Sequence, residues 1–113
     1  YKHYAPNTKC VMVYSENENK MIEKINEIIM QNEKVLVLAK AEHINQYATK
    51  HKWNMGSNLE DVAKNIFTFL RKADKENVDL IIIEGVGNNG LGLAITNRLI
   101  RACAYNYIIL KDE

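Results

Sequence analysis

Short apolar runs alternate with longer amphipathic stretches along most of this chain. Five of the apolar runs predict strands, at residues 10–14, 35–38, 53–55, 78–83 and 107–110. The central runs lack the polar alternation of a half-exposed strand, so we expect them to be covered on both faces. Such burial is typical of a parallel sheet with helices above and below it.

The stretches between the apolar runs predict helices. Ser15 with Glu18, and Ser57 with Glu60, match the capping box that starts a helix. Residues 41–50 predict a short helix whose apolar side includes Tyr47. Apolar residues recur at helical spacing in three longer segments: Met21, Ile22, Ile25, Ile28 and Ile29; Val62, Ile66, Phe69, Leu70 and Ala73; and Leu91, Ile95, Leu99 and Ala102. The expected fold is therefore α/β, a three-layer, Rossmann-like open parallel sheet of about five strands with helices on both faces and right-handed crossovers.

The length and composition predict a single domain and argue against some classes of partner. The chain has 113 residues, of which 47% are hydrophobic, and its 15 basic and 14 acidic residues give a net charge of +1. That balance does not favour a dedicated nucleic-acid or membrane binder, and no transmembrane run is visible. Cys10 and Cys103 lie in apolar segments, which predicts two buried thiols rather than a disulfide and suits a cytoplasmic protein.

A glycine-rich loop lies between the fourth predicted strand and the last helix. Gly85, Gly87 and Gly90 spell G-x-G-x-x-G, and Gly92 follows. Such a loop can bring backbone amides close to a phosphate at a helix N-terminus. It can equally be a tight turn built on left-handed glycines, and the motif follows the fourth strand rather than the first. Both interpretations remain open for residues 85–92.

Other polar residues give weaker signals. Arg98 and Arg101 lie three apart on one face of the last helix, where they could bind a carboxylate or phosphate, pair with nearby acids or cap helix carbonyls. We expect His43 and His51 to be exposed residues, since neither has the spacing of a metal site. Glu84 ends the strongest strand and could act at a site by its position alone.

The first six residues, Tyr1-Lys2-His3-Tyr4-Ala5-Pro6, fall outside every periodic pattern. Pro6 restricts Ala5 to extended conformations, and the aromatic rings and the imidazole suit a segment that covers a ligand site elsewhere. A disordered tail is the alternative. We expect residues 1–8 to be an interdomain linker or lid segment and residues 9–113 to be an α/β accessory domain.

Three stretches resemble the two-domain, Sua-type threonylcarbamoyl-AMP synthases. The opening six residues are similar to the end of that family's interdomain linker, Lys/Arg-His-Tyr-Ala-Pro. Residues 70–74, Leu-Arg-Lys-Ala-Asp, are similar to its Leu-Arg-x-x-Asp element before an apolar strand. Residues 90–102 resemble its Gly-x-Ala-Ile-x-Asn-Arg-Leu-x-Lys-Ala ending, with Arg101 where lysine is common.

The resemblance implies a function for the longer protein. Full-length members use ATP with Mg²⁺, bicarbonate and threonine to make threonylcarbamoyl-AMP, the donor for N6-threonylcarbamoyladenosine at position 37 of certain tRNAs. Their catalytic chemistry lies in an N-terminal YrdC-like domain, the expected partner of this one. The present domain would then be inactive alone, with no catalytic residue, cofactor or metal, and would meet tRNA only indirectly.

Individual residues carry over from the family's motifs. Tyr1, His3 and Tyr4 would be lid residues near nucleotide or substrate, and Asn97 and Arg98 would be motif positions of the C-terminal domain. Two alternatives stay open. One is a stand-alone nucleotide- or anion-binding module that uses the 85–92 loop, and the other is an interaction platform for tRNA or a protein on the Arg98 and Arg101 face.

Overall fold

In the described part of the chain, five parallel strands form a single central sheet. The computed structural model describes residues 7–87 and 89–111. The strands are β1 (Cys10–Ser15), β2 (Val35–Ala39), β3 (Lys52–Asn54), β4 (Leu80–Glu84) and β5 (Tyr107–Leu110), and the helices are α1 (Glu18–Gln31), α2 (Leu59–Ala73) and α3 (Leu91–Ala102). The sheet order is β3-β2-β4-β1-β5, which confirms the predicted open parallel sheet.

Helices cover both faces of this sheet, because successive strand residues point to opposite sides. Val13, Val37 and Ile82 belong to a buried cluster with the apolar residues of α1. Met12 and Leu38 belong to a second cluster with those of α2 and α3. The three-layer prediction is therefore confirmed, and none of the three helices in the described part of the chain has the length and apolar character needed to cross a bilayer.

Each of the helices α1 and α2 is capped by the asparagine that directly precedes it, and not by the predicted serine. Asn17, not Ser15, caps α1, and its side-chain oxygen accepts the Lys20 N–H at 3.2 Å. Asn58, not Ser57, caps α2 in the same way. Ser15 instead ends β1, where its hydroxyl oxygen accepts the Asn17 N–H.

The prediction of a helix at residues 41–50 is wrong. Only a short 3₁₀ helix, Ile44–Gln46, forms there. The side chain of Asn26 on α1 takes over the local backbone bonds, accepting the Ala48 N–H at 2.8 Å and donating to the Gln46 carbonyl at 2.9 Å. A continued helix would need that Ala48 N–H for the carbonyl four residues back, so the contact with α1 ends it.

The two cysteines are buried, free thiols, as predicted. Cys103 lies against Cys10, and its pKa is raised by the hydrogen bond between the two thiols and by burial.

The chain leaves neighbouring strands β1 and β4 toward opposite faces of the sheet. The connection after β1 is α1, on one face, and the connection after β4 is α3, on the other. Where connections diverge in this way, the carboxyl ends of the two strands leave a crevice, which is the usual ligand site of open parallel sheets.

Candidate functional site at the carboxyl edge of the sheet

A solvent-accessible crevice of about 250 Å³ lies at this divergence point. Its walls come from the end of β1 and from the segments that follow β1, β2, β3 and β4. The polar and glycine residues of the wall are Tyr14, Ser15, Glu16, Glu18, Lys40, His43, Gly85 and Gly87. The crevice therefore brings together residues that are up to 73 positions apart in the sequence, from Tyr14 to Gly87.

Glu84, the last residue of β4, is fully buried beside this crevice. Its carboxylate accepts hydrogen bonds from the Lys40 backbone N–H at 2.8 Å, from Nδ1 of His43 at 3.0 Å and from the hydroxyl of Tyr47. Because a buried carboxylate is stable only when it is paired and hydrogen-bonded, these three donors are what keep Glu84 in the core. Among the described residues no buried side-chain polar atom lacks a partner.

His43 links Glu84 to the start of α1. The side chain is 6% exposed, and its Nε2 lies 2.5 Å from Oε2 of Glu18. Burial lowers the pKa of His43, but the hydrogen bonds to Glu18 and Glu84 and the charges of both carboxylates raise it, and the net pKa is raised. The expectation that His43 is exposed is wrong, because the sheet order places it against Glu84. His51 is exposed, as expected.

Tyr47 completes the set of donors around Glu84. Its side chain is buried, and burial together with the nearby Glu84 charge raises the pKa of the phenol far above its ordinary value. The hydroxyl therefore stays protonated and donates to the carboxylate. Tyr47 thus supplies one of the three hydrogen bonds that Glu84 accepts.

Two exposed carboxylates flank the imidazole. Glu42 forms an ion pair with the Lys40 ammonium at 2.9 Å, and that hydrogen bond lowers the pKa of Glu42. Glu18, Glu42 and His43 each present one potential ligand atom, and these atoms lie within 4.8 Å of one another.

The glycine loop forms the opposite wall of the crevice. Gly90 caps α3 with φ +54° and ψ −124°, a conformation open essentially to glycine alone. A Cβ on Gly92 would lie 2.1 Å from the Gly87 carbonyl oxygen, so the loop and the first turn of α3 pack backbone to backbone. The conformation of Gly90 and the close approach of Gly92 to Gly87 both support a tight turn. The backbone conformation of Gly90 is not the left-handed helical conformation that was predicted.

Glu16 and Glu18 line the same crevice as Gly85 and Gly87. Two acidic groups repel a phosphate and attract a cation. Glu16 and Glu18 therefore disfavour an anion at this loop, and Lys40, which also lines the crevice, is paired with Glu42.

Asn97, Arg98 and Arg101 lie on the exposed side of α3. The Arg98 guanidinium stacks over the Phe67 ring of α2, 4.0 Å from its centroid. Within residues 7–87 and 89–111, neither arginine forms an ion pair with an acid, which differs from one of the predicted alternatives. The two arginine side chains are not part of the crevice lining.

The predicted lid residues Tyr1, His3 and Tyr4 lie outside the described residues. The described chain begins next to them, and its first two residues are held by Asp74. The Asn7 N–H donates to Oδ2 of Asp74 at 3.1 Å, and the Thr8 N–H donates to Oδ1 at 2.7 Å. This contact lies at the amino ends of the strands, opposite the crevice, because β1 begins two residues later.

The family model for the C-terminal domain of threonylcarbamoyl-AMP synthase matches residues 1–104. A threonylcarbamoyl-AMP synthase from Pyrococcus abyssi is 36% identical over 112 residues, and one from Bacillus subtilis is 34% identical over 104 residues. The matches cover 96% and 90% of this chain but 32% and 30% of the relatives. The chain thus spans about a third of the length of the curated relatives it matches.

Solved structures share the fold. The P. abyssi Sua5 in complex with L-threonine has a TM-score of 0.82 at 34% identity, over 97% of this chain and 32% of that one. A variant of the same protein, with a consecutive histidine and tyrosine replaced by alanine, has a TM-score of 0.83 at 32% identity, over 96% and 31%. A separate C-terminal Sua5 domain from Pyrococcus horikoshii has a TM-score of 0.66 at 37% identity, over 96% of this chain and 100% of that one.

The family match over residues 1–104 agrees with the parallel fold and with the solved Sua5 structures. The chain therefore belongs to the family of the C-terminal domains of threonylcarbamoyl-AMP synthases.

Proposed function

We propose that this domain is the accessory C-terminal domain of a cytoplasmic threonylcarbamoyl-AMP synthase and that it holds a linker lid over the active site of the catalytic domain. The longer protein would make threonylcarbamoyl-AMP from ATP, bicarbonate and threonine for tRNA modification, as the names of the relatives indicate. ATP and Mg²⁺ would bind in the preceding YrdC-like catalytic domain. Residues 1–8 would be the linker and residues 9–113 the accessory domain.

The observation that supports this proposal is the contact of Asp74 with Asn7 and Thr8, the last two residues of the proposed linker. The Asp74 carboxylate accepts the backbone N–H groups of Asn7 and Thr8. Hydrogen bonds to a charged acceptor contribute about 1.5–3 kcal/mol each. Asp74 is the acid of the Leu-Arg-x-x-Asp element at the end of α2. The role of this motif would therefore be to attach the end of the linker to the domain.

The residues before these two hydrogen bonds suit a lid. Six extended residues reach at most about 20 Å, which is enough to lay Tyr1, His3 and Tyr4 over a neighbouring site. His3-Tyr4 is the one consecutive histidine–tyrosine pair in the sequence, and such a pair is what was replaced in the P. abyssi variant. A lid that excludes water would protect the labile mixed anhydride of the product.

The test uses the full-length protein that contains this chain. Threonylcarbamoyl-AMP formation and pyrophosphate release are measured with ATP, bicarbonate and threonine. We expect Asp74→Ala to lower kcat/KM about tenfold, because a lid displaced by an ångström or so loses its productive geometry. Glu76→Ala, an exposed acid two residues along, is the matched control and should leave the rate unchanged.

Two results would contradict the proposal. One is unchanged activity in both Asp74→Ala and a His3→Ala/Tyr4→Ala double variant, with thermal melting showing that each is folded. The other is pyrophosphate release by residues 1–113 alone, which we expect to be inert.

The stand-alone nucleotide- or anion-binding module at residues 85–92 has less support, because Glu16 and Glu18 line the same crevice. Saturable amide shifts in that loop on titration with ATP or AMP would favour it. The interaction platform at Arg98 and Arg101 also stays a prediction, and charge reversal of both residues should weaken association of the intact protein if it is correct.

A further inference from the structure

We propose that Glu18, Glu42 and His43 form a binding site for a divalent transition-metal ion of the zinc class at the carboxyl edge of the sheet. Glu18 opens α1, while Glu42 and His43 follow β2. One ligand atom from each residue lies within 4.8 Å of the other two. One imidazole nitrogen and two carboxylate oxygens, with water in the open position, form a ligand set that zinc-class ions accept.

The imidazole is already held as a metal ligand requires. Glu84 is fully buried and accepts a hydrogen bond from Nδ1 of His43 at 3.0 Å. Nε2 faces Oε2 of Glu18, and a metal ion bound there would take the Nε2 lone pair and displace the proton shared with Glu18. A carboxylate that orients a histidine in this way is the usual outer partner of a metal-bound imidazole. Tyr47 and the Lys40 backbone fix Glu84 in turn.

The two carboxylates have the freedom to close around an ion. The side chains of Glu18 and Glu42 are 61% and 54% exposed. A tetrahedral ion with ligand bonds of about 2.0–2.1 Å separates neighbouring ligand atoms by about 3.3 Å. Nε2 of His43 and Oε2 of Glu18 are now 2.5 Å apart, so an outward movement of the exposed Glu18 by about 1 Å would admit the ion.

The local charge also favours a cation. Glu16 and Glu18 line the crevice and Glu84 lies beneath it, whereas Lys40 is the one lysine or arginine among the lining residues. The Lys40 ammonium pairs with Glu42 at 2.9 Å and therefore competes with an ion for that carboxylate. The crevice itself gives the ion a path from solvent.

The experiment titrates purified residues 1–113 with ZnCl₂ by calorimetry and with CoCl₂ by the visible ligand-field absorption of Co²⁺, in a weakly basic buffer. We expect one equivalent to bind with a micromolar Kd. Glu18→Gln and Glu42→Gln should each weaken binding at least about tenfold, and Glu84→Gln should weaken it about 10–100-fold through the loss of the outer partner. Lys40→Met should tighten binding several-fold because a competing charge is removed.

Two controls separate this site from adventitious binding. Glu27→Gln removes the same charge from an exposed position on α1, and His51→Ala removes an exposed histidine; both should keep the wild-type Kd. Glu18 and Glu42 are exposed, so their variants should fold, and circular dichroism checks this. The proposal is overturned by binding no tighter than millimolar, or by Glu18→Gln and Glu42→Gln variants that bind as the wild type does. Equal losses in the two control variants would also overturn it.

Discussion

Replacing Glu84 by glutamine should destabilise this domain strongly, although the side chain keeps its size. The wild-type carboxylate serves three donors, from the Lys40 backbone, His43 and Tyr47. The single amide oxygen of glutamine accepts two of them at most, and its NH₂ group faces the third as a second donor. We therefore expect one buried donor without a partner and two hydrogen bonds that lose their charged acceptor.

The magnitude follows from these losses. A hydrogen bond to a charged group is stronger than a neutral one by about 1 kcal/mol, and an unsatisfied buried donor costs about 1–3 kcal/mol. The loss of a buried charge removes its desolvation penalty and offsets part of this sum. The expected decrease in the free energy of unfolding is about 3 kcal/mol. Tyr47→Phe removes one donor and leaves Glu84 with two, so it should cost about 1–2 kcal/mol.

Urea unfolding followed by circular dichroism measures both effects. With an m-value of about 2 kcal/mol/M, the midpoint should fall by about 1.5 M for Glu84→Gln and by about half of that for Tyr47→Phe. Glu27→Gln, an exposed change of the same kind on α1, should stay within about 0.5 kcal/mol. A loss below about 1 kcal/mol for Glu84→Gln, or one smaller than for Tyr47→Phe, would refute the assignment of Glu84 as the centre of this network.

Three further predictions concern other parts of the fold. Gly92→Ala should cost at least about 2 kcal/mol in chemical unfolding, because its Cβ would meet the Gly87 carbonyl; Gly87→Ala, whose Cβ would make only an ordinary contact with the Tyr14 hydroxyl at 3.6 Å, should cost less, and the reverse order would contradict the packing. A double-mutant cycle of Arg98→Ala and Phe67→Leu should give a coupling of about 0.5–1 kcal/mol for their stacking, and additive effects would show that the contact contributes nothing. Both cysteines are buried, so a thiol reagent should modify them only after denaturant unfolds the chain; rapid labelling of the native protein would contradict that burial.

The sheet and the long helices could be predicted from the sequence, because their signal is local. Apolar runs without alternation indicate buried parallel strands, and all five residues of β2 and of β4 are indeed buried. The helix starts were less accurate. Ser15 and Asn17 both suit a cap, and the choice of Asn17 depended on β1 extending through Ser15.

The network around Glu84 could not be predicted in the same way, because it depends on the order of the strands. His43 follows β2 and Glu84 ends β4, and they meet only because these strands are neighbours. Two signals in the sequence pointed toward it: an acid at the end of an otherwise apolar strand needs a partner, and His43 and Tyr47 are polar residues just beyond another buried strand. Neither signal identifies which residues pair.

The hydrogen bonds from Asn7 and Thr8 to Asp74 also tie the start of the described chain to the end of α2. Both donors are backbone N–H groups, so the tie depends on the Asp74 carboxylate and not on the side chains at positions 7 and 8. In the proposed longer protein, any displacement of α2 would therefore reach the linker through a single carboxylate. Changes of the side chains of Asn7 and Thr8, other than to proline, would leave that connection in place.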